Sequence, residues 1–167
     1  MKGKARLRVQ DRNGQPVQDT YYNQSLPKDG SYCKKCHAIF HHKHWYFDEE
    51  KIQELLKSSS DGVVCPACKK IADKFASGIV TLKGRFIRDH REEIVNLIQN
   101  EEKRAMGLNP LERIIEILPN KDGFEVTTTH EKLAQRIGKR LHSSFSGSVA
   151  YRWTPQDKMA RVLWNRE

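Results

Sequence analysis

The chain has 167 residues, 37% of them hydrophobic and 31% charged, with a formal net charge of +9. That length suits one medium domain or two small ones with a modest core. No stretch approaches the ~20 apolar residues of a membrane span, which points to a soluble, cytoplasmic protein with no membrane partner; the basic excess favours a polyanion, nucleic acid ahead of an anionic membrane surface.

The excess is uneven: +3 over residues 1–32, +2 over 33–75, −1 over 76–128 and +5 over 129–167. Residues 1–30 read as a basic, flexible tail. Lys2, Lys4, Arg6, Arg8 and Arg12 come with almost no apolar residue, too little to bury against the entropy of ordering. Such an arm can hold a phosphate backbone or simply solubilise the chain. Tyr21 and Tyr22 can dock the end of the arm or stack on bases.

Residues 31–76 hold all four cysteines, as Cys33-Lys34-Lys35-Cys36 and Cys65-Pro66-Ala67-Cys68. A two-residue gap lets one tight turn aim two sulfurs at one point, and two such turns complete the tetrahedral four-thiolate site that Zn2+ prefers. Pro66 presets the turn dihedral after a ligand. Disulfides fit poorly, since nothing marks the chain for an oxidising compartment. A redox pair needs a βαβ setting and only one CxxC. Four thiolates leave no open position, so the metal is expected to be structural and to supply much of the module's folding free energy. His37, His41, His42 and His44 crowd the first pair; they read as an exposed basic turn, with a replacement ligand or a second metal as the other possibility. Ala38, Phe40, Trp45 and Phe47 suit a short hairpin, with Phe40 and Trp45 as an apolar plug beside the metal or a stacking platform for bases. Asp48 is placed to cap a helix through about Lys57 with Ile52, Leu55 and Leu56 on one face. A second short helix is expected from Lys69 to Phe75. A knuckle feeding a helix suits a treble clef, with a zinc ribbon as the alternative.

Residues 77–167 read as an α+β domain. Ile79 to Lys83 is a strand. Asp89-x-x-Glu92 suits a capping box, opening a helix with Ile94, Leu97, Ile98 and Ala105 that stops at Gly107. Arg113 to Leu118 suits a strand or one more helical turn. Asn120 to Gly123 is a hairpin turn before alternating Phe124, Val126 and Thr128. Thr128-x-x-Glu131 is a second capping box, with Leu133, Ile137 and Leu141 as the buried stripe and Lys132, Arg136, Lys139 and Arg140 largely on another face. Val149, Tyr151 and Trp153 share one side of a strand, as do Ala160, Val162 and Trp164 of the last one, with Arg152, Arg161 and Arg166 pointing away. The order β-α-β-β-α-β-β is a split-βαβ, ferredoxin-like sandwich with an added strand.

The block Asp19-Thr20-Tyr21, Cys33-x-x-Cys36-x-Ala38-x-Phe40, Trp45 and Cys65-Pro66-x-Cys68 resembles a group of short bacterial zinc-binding proteins of unassigned function. The later run is similar too: Gly78-x-Val80-x-Leu82-x-Gly84, Asn109 to Ile114, Thr127 to Thr129, Leu133-Ala134 and Arg161-Val162-x-Trp164. More distantly, the cysteine pairs followed by an α+β unit resemble the N-terminal zinc region of the Nmd-three-type ribosomal large-subunit export adaptor and its archaeal relatives. That region has more metal-binding cysteines than this chain. The resemblance implies contact with the ribosome's large subunit, without export or shuttling.

Together these readings favour a non-enzymatic, zinc-dependent RNA-binding protein whose partner is ribosomal RNA or a ribosomal subunit. The expected phosphate contacts are Lys2, Lys4, Arg6, Arg8, Lys34, Lys35, Lys69, Lys70, Lys132, Arg136, Lys139 and Arg140. The lysines beside the cysteines would also offset the site's negative charge. The alternative is a protein-interaction adaptor or transcription-associated factor with little nucleic-acid contact. For an enzyme, His90, His130 and His142 with Glu92, Glu93 and Glu131 are the candidate groups. No P-loop, GxSxG, HExxH or deaminase signature accompanies them, and the glutamates sit where they complement a helix dipole.

Overall fold

A computed structural model describes residue 21 and residues 25–58, 62–156 and 158–167. The arm residues Lys2, Lys4, Arg6, Arg8 and Arg12, together with Tyr22, lie outside the described residues. No helix among the described residues is long and apolar enough to cross a membrane.

The N-terminal portion is built of short pieces. β1 (Ile39–His41) and β2 (His44–Tyr46) form an antiparallel hairpin with Phe40 opposite Trp45. Its turn residues His42 and Lys43 take φ of 48° and 64°, the paired left-handed conformation of a tight hairpin. α1 (Glu49–Lys57) starts where Asp48 accepts the Lys51 N–H at 2.9 Å. Only Ile52 of its expected apolar face is buried; Leu56 is 44% exposed. α2 (Pro66–Asp73) begins inside the second cysteine pair rather than after it. Pro66 causes this, because its fixed φ suits the first helical position and its missing N–H costs nothing there.

The rest is a mixed α+β unit. β3 (Gly78–Lys83), a short α3 (Phe86–Asp89), α4 (Arg91–Leu108), β4 (Ile114–Asn120), β5 (Gly123–Thr128), α5 (Glu131–Phe145), β6 (Ser148–Thr154) and β7 (Met159–Asn165) follow in order. The five-stranded sheet has the order β4-β5-β3-β7-β6. β5 lies antiparallel to both β3 and β4, so β3 and β4 run the same way with β5 between them. β7 pairs parallel with β3. It therefore separates β3 from β6 and makes the sheet mixed. β3, β5 and β7 alternate because one face is buried. Val80, Leu82, Phe124, Val126, Val162 and Trp164 meet Ile94 and Ile98 of α4 and Leu133, Ile137 and Leu141 of α5 in one core. Gly138 lets α5 sit close on the sheet: a Cβ there would stand 2.5 Å from Val162 Cγ1 and 3.2 Å from Tyr151 Cε1.

Both capping boxes are displaced. Asp89 ends α3, and α4 starts after His90 with no side-chain cap. Thr128 donates to the His130 carbonyl, 2.9 Å, and His130 itself caps α5, its Nδ1 accepting the Lys132 N–H at 3.2 Å. Arg166 does not point away: its guanidinium stacks 3.7 Å from the Phe86 ring centre and donates to the Phe145 carbonyl. Tyr151 and Trp153 share the helix side with Val149, yet they are 47% and 39% exposed. β6 is the sheet edge, where the helix layer ends.

Burial holds the His130 pKa below the ordinary histidine range; Glu131 and Glu112 pull upward less strongly, and Lys132 and Lys70 push down. The folded state thus resists a proton that the unfolded chain takes up near pH ~6.5, so stability falls as pH drops through that range. Thermal unfolding between pH 8 and 5.5 is expected to fall more steeply in the wild type than in His130→Asn, which keeps a cap. The difference between the two proteins separates this titration from acid release of a metal. Parallel profiles would remove His130 from the pH response.

Candidate metal centre

The first pair sits in a turn that closes on itself. The His37 N–H donates to the Cys33 carbonyl at 2.9 Å, and the Cys33 N–H to the Ala38 carbonyl at 2.8 Å. His37 takes φ 65° to allow this. A short parallel bridge between Cys33 and Val63 then brings the second pair alongside. Lys34 donates to the Val63 carbonyl at 2.8 Å, and Val63 to the Tyr32 carbonyl at 2.9 Å. Cys65 caps α2, its Sγ accepting the Cys68 N–H at 3.4 Å, while its own N–H reaches Cys33 Sγ at 3.3 Å. Both amides favour thiolates, as does the positive end of α2.

All four Sγ atoms lie within 4.8 Å of one another, with no disulfide among them. Cys36 and Cys65 Sγ are 3.7 Å apart. A metal bonded to four sulfurs at ~2.3 Å has tetrahedral edges of about 3.8 Å. A disulfide needs about 2.05 Å. The cluster therefore has the dimensions of a site that could bind one metal ion.

Electrostatics agree. Hydrogen bonding from Cys36, then Cys65 and Cys68, holds the Cys33 thiol far below its ordinary range. Cys33 raises Cys36, but Cys65 and Cys68 outweigh it and leave Cys36 at about 7. Cys33 and Cys36 push the Cys65 and Cys68 thiols well up, and burial adds to both. Four sulfurs this close cannot all ionise unless a cation joins them.

The shell beside the sulfurs is apolar. Ala67, Leu111 and Trp45 pack on them, and Trp45 leans on Phe40 with ring centres 5.2 Å apart. Leu111 comes from the segment between α4 and β4, so the two regions meet at the cluster. Further joints surround it. Lys70 Nζ donates to Ser77 Oγ at 2.9 Å and to the Thr129 carbonyl at 3.1 Å. Tyr21 packs on Phe75, ring centres 4.9 Å apart, and donates to Asp73 at 2.9 Å. Lys74 meets Glu116 of β4 at 2.5 Å.

The expected phosphate contacts divide. Lys34 and Lys35 are exposed on the first turn and Lys69 is half-buried. Lys70 is 1% exposed and serves as a joint, so it is no surface contact. Its amphipathic helix position gave no hint that Ser77 and Thr129 would close over it. Lys132 and Lys139 are exposed on α5. Arg136 is spent on Glu112, 3.1 Å away, whose side chain is 3% exposed, and Arg140 faces Glu101 of α4 at 3.9 Å. Of the histidines, His41 and His42 stack with ring centres 3.8 Å apart and gather with Asp29 on the surface, ligand atoms within 4.8 Å. His37 and His44 are not in that group. The enzyme candidates take local roles: His90 lies 3.2 Å from Glu93, His130 caps α5, and His142 Nδ1 lies 2.9 Å from the Gly147 carbonyl. Leu111, and the exposure of Tyr151 and Trp153, had no signal in the local pattern.

No family model, no curated protein and no solved structure matches this chain.

Proposed function

We propose that this chain is a non-enzymatic zinc-dependent RNA-binding protein of the cytoplasm, whose target is ribosomal RNA or a ribosomal subunit. The observation that carries the reading is the pair of exposed lysines on α5, Lys132 and Lys139, which form no ion pair among the described residues, on a domain joined to a closed four-thiolate cluster. Zinc suits four sulfurs in a tetrahedron and needs no open position. Reduced thiols suit a cytoplasmic setting. A turn, a hairpin and a helix capped by its own ligand read as a treble clef, and the second unit as a ferredoxin-like sandwich with β7 inserted between β3 and β6. Lys34 and Lys35 extend the basic surface, and the arm residues would add contacts without sequence preference.

The test is a titration against ribosomal RNA at two salt concentrations. Affinity is expected to fall at least roughly tenfold between 50 and 200 mM salt, and Lys132→Gln with Lys139→Gln is expected to weaken binding and flatten the salt slope by about one to two. These positions are chosen because reversing Arg136 would set two carboxylates together. Sedimentation of lysate should place the protein with a ribosomal subunit. Absence of affinity at low salt would favour the second reading, a protein-interaction adaptor, which the exposed Leu118 and Leu163 of the sheet support.

A further inference from the structure

We infer that the groove between α5 and the edge strand β6 holds a single-stranded segment of RNA, its bases stacked on Tyr151 and Trp153 and its phosphates against Lys132 and Lys139. This rests on the RNA-binding reading and adds to it a place, a ligand form and two aromatic contacts.

The groove follows from the sheet order. β6 is the outer strand, and the helix layer does not cover its far end. Tyr151 lies opposite Val162, and Trp153 opposite Ala160. Both partners are buried, at 2% and 1% exposure. The two rings therefore belong to the helix side of the sheet. They remain open to solvent because, among the described residues, no further helix lies beyond α5. Large aromatics on a core-facing register, left half-bare, are a surface that something can cover.

The opposite wall is α5. Lys132, Arg136 and Lys139 recur at four and three residues, so one helical row gathers them. With Gln135 and Tyr151 they line a cleft of about 350 Å³. Arg136 is held by Glu112, which leaves the two lysines as the charge facing a ligand. Tyr151 is seated rather than loose. A Cβ at Gly138 would come within 3.3 Å of its hydroxyl, so the ring lies against the helix backbone. The tyrosine and tryptophan are two residues apart on one face, about 7 Å along the strand.

Charge beside flat rings selects the ligand. A duplex keeps its bases stacked inside and offers them no ring to meet. A single strand has a face on every base and a phosphate on every sugar. An acidic peptide would match the lysines but not the rings, and an anionic membrane surface would need a flat or convex face rather than a groove between helix and strand.

The experiment uses the full metal-loaded chain and a twelve-nucleotide single-stranded RNA of uridines, and separately adenosines, with a duplex of mixed sequence as control. The three tryptophans include the fully buried Trp164, so quenching of Trp153 is read as the signal that Trp153→Phe removes. Trp153→Leu and Tyr151→Leu are each expected to weaken single-strand binding roughly tenfold, while Trp153→Phe keeps most of the affinity. Lys132→Gln with Lys139→Gln is expected to weaken both ligands. Wild-type affinity for single strands in both leucine variants would overturn the groove and leave the RNA-binding reading standing. So would binding of the duplex alone. No binding of any RNA would overturn both, and preferential binding of vesicles of anionic lipid would replace RNA as the occupant.

Discussion

Cys65→Ser is expected to release the metal and unfold the cysteine module while the sheet survives. Cys65 has three jobs at one position: its sulfur is a ligand candidate, the same sulfur caps α2, and its amide supports Cys33. It is fully buried. A serine oxygen is a poor fourth donor beside three sulfurs, and structural zinc contributes on the order of 10 kcal/mol to small modules. The module has few other buried residues: Ala67 and Leu111 beside the sulfurs, and Ala38, Ile39, Phe40 and Ile52 around them. The α+β core draws on none of them. Elemental analysis should fall from about one zinc per chain to nearly none, and Trp45 fluorescence should change while far-ultraviolet dichroism keeps most of its amplitude. Chelation of the wild type should do the same, the module melting before the sheet. Full zinc retention in Cys65→Ser, or unchanged spectra after complete metal removal, would contradict the assignment.

The second large effect is expected at Lys70. Lys70→Glu buries a carboxylate against the Thr129 carbonyl and should cost about 3–5 kcal/mol. Lys70→Met keeps an apolar stem but loses the two donated bonds and the ammonium over the Phe75 ring, and should cost about 1–3 kcal/mol. At roughly 2–4 °C per kcal/mol for a chain of this size, the glutamate variant should melt on the order of 10 °C lower. On the proposed RNA-binding reading, the folded methionine variant should hold RNA as the wild type does, because Nζ is enclosed by Ser77 and Thr129. A loss of RNA affinity without a loss of stability would return Lys70 to the surface.

These two residues mark what a one-dimensional reading can reach. The cysteine pairs were legible because ligand spacing is local. The strands were legible where one face is buried, as Val80 with Leu82 or Val162 with Trp164. Lys70 was not, because its burial depends on Ser77 and on Thr129, far along the chain. Arg136 was not, because Glu112 stands 24 residues before it. Tyr151 and Trp153 alternate as core residues do; only the sheet order, fixed by pairing between β3 and β7, leaves them at an edge. The capping boxes failed for a local reason, since His90 and His130 take the cap positions and Thr128 spends its hydroxyl on the His130 carbonyl.

The segment carrying Leu111 and Glu112 touches both the cysteine cluster and the groove proposed to bind RNA. Leu111 rests on the sulfur shell, and its neighbour Glu112 holds Arg136 in the wall of the α5 groove. The metal site and the proposed groove therefore share one short stretch of backbone. Whatever factor the metal contributes to affinity at the groove, a groove occupant must return to the affinity for metal. With the groove occupied as proposed and a metal that raises affinity there, copies engaged at the groove would be the last to surrender that metal when it is scarce, and free copies the first; a metal that lowers the affinity would reverse the order.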